Sequence, residues 1–296
     1  MKRIGILIFT LMIAGSAMAH SGHTDWKDWS FDWEVYDGAG LTLRNVRFKN
    51  ELVIYKIGVP VIRVRYAGDV CGPYADQINW ENLLKISNCG DAKVCQKSST
   101  WDDGKQWLEI GILGALGKYR LYYAYYLRED GVIMPHLWSK GLHCDADHDH
   151  HVYWRADFDI NGASGDQIFE WNNNGPDVGW GAGWKKYTNE LNTVKNGGTN
   201  RQWFARDNST SHGCWIVPGD DGSSDGFSTK DAAPRLYRGS EGNEWQFGAW
   251  GHLGFDNNEN IEERDDVYWY VAHLHHEAAG GADHWHSVGP SLWIHR

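Results

Sequence analysis

The chain has 296 residues with 28 basic and 39 acidic side chains, a net charge of −11. That acidity argues against a nucleic-acid partner and mildly favours cationic small molecules. The length suffices for one large β domain with a proper core, and no low-complexity linker divides it.

Met1-Lys2-Arg3, the apolar run Ile4–Ala14 and the small residues before His20 have the pattern of a secretory signal peptide over 1–19, too short for a membrane anchor. Nothing later is apolar for long enough to span a bilayer, so the expected location is periplasmic or secreted, with no membrane partner. His20 and His23 follow in an N-terminal extension, 20–39, where a freed amino group beside an imidazole offers a copper chelate. From Gly40, Leu41–Phe48 alternates, and Leu52–Tyr55 and Val59–Tyr66 read as further strands of a meander. Residues 70–97 are rich in loop formers and hold three of five cysteines, Cys71, Cys89 and Cys95; Cys144 and Cys214 follow. An oxidising compartment predicts one or two disulfides and a leftover thiol, with Cys89–Cys95 the first choice and a Cys144-containing copper site an alternative.

Trp107–Leu116 and Lys118–Arg128 are strand-like, then Glu129-Asp130-Gly131 turns into Val132–Trp138. The strand His148–Asp159 follows. Alternation puts His148 and His150 on one side, about 7 Å apart along the chain, within reach of a shared metal ion. It also groups Asp157 with Asp159, an all-oxygen pair suited to a harder cation such as Ca²⁺. Residues 172–229 look like ordered loops between short strands, and a final pair, Asp266–His275 and Ser291–His295, closes the chain. Helical periodicity is scarce, so the class is all-β, a large antiparallel β-sandwich in a single domain over 40–296.

The order of these motifs resembles the catalytic domain of the copper amine oxidases, the topaquinone enzymes. His148, His150, Arg155 and Asp157 stand in that family's His-x-His…Arg-x-Asp register. Downstream, Asp265, Trp269, His276 and Ala282-Asp283-His284-Trp285 resemble the segment carrying its third copper ligand. The resemblance implies a copper cage of His148, His150 and His276, with His273 and His275 as neighbouring alternatives for the third ligand. It also implies a calcium site of Asp157, Asp159 and Asp265, with the carbonyls of Phe158 and Asp266. Weaker echoes run from Gly40-Leu41-Thr42 to Val64-Arg65-Tyr66, and make Tyr66 the hydrogen-bond donor that orients the quinone.

The resemblance makes Tyr119 the precursor of the topaquinone cofactor, although Lys118 and Arg120 replace the family's flanking Asn and Asp/Glu. Asp76 is the nearest carboxylate to the family's general base, out of exact register. The implied activity is oxidative deamination of a small primary amine to an aldehyde, with O₂ giving hydrogen peroxide and ammonia, by a homodimer. The chain is much shorter than members of that family. Two alternatives stand beside the oxidase. One is a secreted copper-binding protein that keeps the cage, with Tyr119 an ordinary strand tyrosine and His143, His151, His273, His275, His284 and His286 enriching a metal-handling surface. The other is a β-sandwich binding glycans through exposed Trp.

Overall fold

The structure is a computed structural model that describes residues 20–36, 38–173, 182–219, 222, 226–237, 258–281 and 283–296. The sequence positions 1–19, where a signal peptide is expected, and Ala282 lie outside the described residues.

Two antiparallel sheets face one another, their strands numbered in chain order. The first runs β1 (His20–Trp26), β2 (Trp29–Tyr36), β3 (Gly40–Phe48), β4 (Glu51–Tyr66), β11 (His148–Asp157), β17 (Asp266–His276) and β16 (Ala232–Leu236), with β5 (Tyr74–Asp76) on β4. The second runs β13 (Trp184–Tyr187), β12 (Asp166–Trp171), β14 (Gln202–Asp207), β15 (Gly213–Val217), β19 (Ser291–His295), β10 (Val132–Lys140), β9 (Tyr119–Arg128), β8 (Gln106–Leu116) and β6 (Leu83–Leu84). To these, β18 (His286–Val288) adds on β10 and β7 (Val94–Thr100) on β8. The expected all-β sandwich is what forms. Among the described residues the only α-helix is the four-residue Ala278–Gly281.

Period-two alternation decides which side chains meet between the sheets. On β11, Val152 and Trp154 join the main core, while Tyr153 belongs to a smaller cluster with Val61, Trp269 and Val271 on the outer face. On β9, Leu121, Tyr123, Tyr125 and Leu127 face inward from the other side. The opposite face of that strand is also apolar, its Ala124 and Tyr126 packing with Trp107 of β8 and Val132 of β10, so the alternation is masked in the sequence. Trp154 is 1% exposed in the middle of β11. Trp154→Ala is expected to cost about 3–5 kcal/mol, from lost burial plus the cavity left behind; a urea unfolding midpoint shifted downward at unchanged slope checks this.

Several boundaries differ from the sequence reading. The runs Leu52–Tyr55 and Val59–Tyr66 are one 16-residue strand, β4. Pro60, which cannot donate to a ladder, is accommodated where the pairing shifts register: Tyr153 opposes Val61 and Arg155 opposes Gly58, leaving two residues of β4 against Trp154. The closing strands are not partners, since β17 lies in the first sheet and β19 in the second. Residues 20–36 form a hairpin on the edge of the first sheet, with Trp29 and Phe31 buried in the core. Trp29 Nε1–H donates to the Arg128 carbonyl of β9 at 2.8 Å, tying the hairpin to the opposite sheet.

Both cysteine pairs are closed. Cys89–Cys95 forms as expected, and Cys71 pairs with Cys144, which removes Cys144 as a copper ligand. Cys214 is a buried free thiol.

Candidate metal centre

Three strands of the first sheet bring the candidate ligands into one row. His148 of β11 lies opposite Tyr66 of β4 on one side and His276 of β17 on the other. His150 follows two residues along the same inner face. All three imidazoles are buried, and one ligand atom from each lies within 4.8 Å of the others. His148 Nε2 and His150 Nε2 are 2.9 Å apart. Two ring nitrogens bound side by side at the ~2.0–2.1 Å typical of imidazole–metal bonds would be separated by about that much.

The donor chemistry fits a transition metal. His148 Nδ1 lies 3.1 Å from the Ala146 carbonyl, which can only accept, so Nδ1 carries the proton and Nε2 presents a lone pair to the cage. Burial pushes the His148 imidazole down to about 4 and His150 well below its usual value, so both are neutral at pH 7. Three clustered imidazoles in a buried site suit Cu²⁺. His273 and His275 are set apart from this cage. His275 is exposed and 3.0 Å from Asp149, while His273 points to the outer face.

Tyr119 reaches the cage from the other sheet. It opens β9, and its phenol oxygen lies 2.9 Å from His148 Nε2 and in a short hydrogen bond with the Tyr66 hydroxyl. Tyr66 in turn stacks on His148, with ring centroids 4.4 Å apart. The loop after β10 packs against the backbone that carries Tyr119. Gly141 sits there at φ 114°, and a Cβ would meet the Lys118 carbonyl at 2.5 Å, so only glycine fits. The same loop is held by the Cys71–Cys144 disulfide, and amides at His143 and Cys144 face the phenols of Tyr119 and Tyr66. Tyr119, Tyr66 and Asp76 line one cavity of about 170 Å³, together with Tyr74 and His143. Asp76 is on β5, which the pairing with β4 folds back toward the site. Burial raises its carboxyl above the usual range, and the nearby His143 opposes that shift.

The second cluster lies on the other face of β11. Oxygens of Asp157, Asp159 and Asp265 fall within 4.8 Å of one another. Burial raises Asp157 to about 8, opposed by Arg155, whose Nη1 is 3.9 Å away; burial and Asp159 raise Asp265 to about 6. One oxygen of each of the three has no hydrogen-bond partner among the described residues. A hard divalent cation with oxygen ligands would satisfy this arrangement. Two further buried carboxyls lie nearby: Asp166, which the sequence reading did not single out, and Asp266, which it named only for its carbonyl; burial raises Asp166 to about 9 and Asp266 well above its usual value.

These carboxyls titrate near 3.9 in the unfolded chain. Between about pH 4 and pH 8 the folded, cation-free chain therefore holds more protons than the unfolded one, and its stability is expected to fall as pH rises through that window. Thermal unfolding at pH 5 and pH 8 in chelator checks this. Millimolar Ca²⁺ is expected to raise the melting temperature more at pH 8 than at pH 5.

Two histidines expected on a metal-handling surface are instead fully buried on the outer face. His151 Nδ1 lies 2.7 Å from His273 Nδ1, and His273 Nε2 lies 2.7 Å from Asp231. At the N-terminus, His23 bonds to Asp32 and His20 stacks on Trp80.

No protein-family model and no curated protein matches the chain. Solved structures do. The Pichia pastoris lysyl oxidase superposes with a TM-score of 0.73 at 13% identity, covering 92% of this chain and 51% of its own. The Aspergillus nidulans amine oxidase gives 0.71 at 14%, covering 100% and 55%. A copper-containing benzylamine oxidase from Hansenula polymorpha gives 0.69 at 14%, covering 92% and 59%. The fold is thus that of the copper amine oxidase β-sandwich, and the chain spans little more than half the length of these enzymes.

Proposed function

We propose that this chain, built on the copper amine oxidase sandwich, is a secreted copper-dependent oxidase of small primary amines. It would yield an aldehyde, ammonia and hydrogen peroxide from amine and O₂. The observation that carries this reading is the Tyr119 phenol, which reaches across from the second sheet to within 2.9 Å of a cage imidazole. His148, His150 and His276 would hold copper, and Tyr119 is the residue to be converted to the quinone. When present, copper and quinone supply the electron sink and the route to dioxygen.

The chain's own groups have the remaining tasks. Tyr66 fixes the Tyr119 hydroxyl by its hydrogen bond and its stacking on His148. The cavity beside them has room for a small substrate. Asp76 lines the same cavity as Tyr119, with its carboxyl raised by burial, and is the group placed to take a proton from the substrate carbon. Asp76→Asn is expected to lower the rate of peroxide production roughly 10²–10⁴-fold, as for loss of a general base. Copper content and quinone staining should be unchanged, which separates a lost base from a collapsed site.

Asp157, Asp159 and Asp265 would hold calcium as a structural ion. Two disulfides fit an oxidising compartment, and no described helix is long and apolar enough to cross a membrane. Homodimer formation, as in the sequence-based expectation, belongs to the same proposal.

One feature favours a second reading, a copper-binding protein without oxidase activity: the flanks of Tyr119. Arg120 folds back to its neighbour's carbonyl at 2.9 Å, in place of the acidic residue of the resembled motif. Copper-reconstituted protein decides between them. A quinone redox-cycling stain and peroxide release over a panel of primary amines support the oxidase; one copper per chain with neither signal supports the binder.

A further inference from the structure

The copper cage is buried: His148, His150 and His276 are 2%, 1% and 0% exposed. A hydrated cupric ion cannot reach such a site with its water shell intact, so its waters have to be exchanged for protein ligands one at a time. A fourth imidazole stands where that exchange would begin. His286 opens β18, which hangs on β10 through the pairing of His286 with Ser139. Its ring centroid is 4.7 Å from that of His276, as close as His148 is to His276 at 4.9 Å. Unlike the cage residues, His286 is only half-buried, and its Nε2 is buried without a hydrogen-bond partner among the described residues. His284, two residues before it, is exposed.

His286 is not one of the three residues whose ligand atoms cluster within 4.8 Å, so it adjoins the cage without completing it. An open cavity lined by both His148 and His275 also borders the cage, but the Nδ1 of His275 is engaged by Asp149 at 3.0 Å. Among the imidazoles bordering the cage, His286 alone combines partial exposure, an unengaged buried nitrogen and ring contact with a cage ligand.

We propose that His286 is a loading ligand, a transient Cu²⁺ site at the edge of the cage that takes the ion from water and passes it to His276. The step is ligand exchange: a Cu–water bond breaks as the Cu–His286 bond forms, and the Cu–His286 bond then breaks as Cu–His276 forms, with no change in oxidation state. This rests on the assignment of copper to the three-histidine cage.

The test is stopped-flow copper uptake by the full-length metal-free protein, using Cu²⁺ as its glycine complex and following quenching of tryptophan fluorescence. His286→Ala and His286→Gln are expected to slow uptake about tenfold or more, the range in which neighbouring groups act on metal sites. Final copper content and the copper EPR spectrum should match wild type, with near-UV circular dichroism confirming the fold. His275→Ala should load at the wild-type rate. Uptake by both His286 variants within about twofold of wild type overturns the proposal. So does an altered EPR spectrum in them, which would make His286 a permanent ligand, or slowing confined to His275→Ala. His148→Ala in the same series tests the cage itself: full copper content there would reject the three-histidine centre, and the loading role with it.

Discussion

His148→Ala is expected to leave the folded protein without stoichiometric copper. The imidazole of His148 occupies the centre of the row formed with Tyr66 and His276, and its Nε2 is 2.9 Å from both His150 Nε2 and the Tyr119 hydroxyl. Even losing an outer hydrogen-bond partner of a metal ligand costs roughly 10–100-fold in affinity, and losing the ligand itself exceeds that. The two remaining imidazoles would keep their burial but lose the third nitrogen that defines the cage. Copper content after dialysis against a weak chelator, with circular dichroism to confirm folding, gives the result. Wild-type copper content in the variant would mean the ion sits elsewhere.

Tyr119→Phe separates the cage from the oxidase. The phenol is not one of the three clustered ligands, so copper content should be unchanged, while quinone staining disappears and peroxide release falls to the protein-free background. The folding cost should be small, about 1 kcal/mol for the lost hydrogen bonds to Tyr66 and His148. Staining that survives in the variant would assign the cofactor to another tyrosine. Copper retention with no stain in either protein would favour the copper binder.

Much of the arrangement is legible in the sequence because β-strands have a short, strict period. His-x-His on one strand fixes a shared face whatever the sheet does, and Asp157, an odd number of residues from His150, falls on the opposite face. The third histidine and third aspartate, His276 and Asp265, come from the family resemblance, and the ladder between β11 and β17 accounts for their convergence. What is not legible depends on pairings between distant segments. Asp76 is unremarkable in the chain; only the return of β5 along β4 brings it to the cavity of Tyr119. Cys71–Cys144 likewise depends on where the loop after β10 lands. His151 and His273 look like surface histidines by composition, yet Asp231 closes their buried chain from a third segment. Trp29 and Phe31 gave no sign that the hairpin before Gly40 contributes to the core.

X-ray absorption at the copper K edge of the copper-loaded protein tests the central claim most directly. The prediction is one copper per chain with three imidazole nitrogens at ~2.0–2.1 Å. A stoichiometric ion lacking the multiple-scattering signature of histidine, or no bound copper at all, would contradict it.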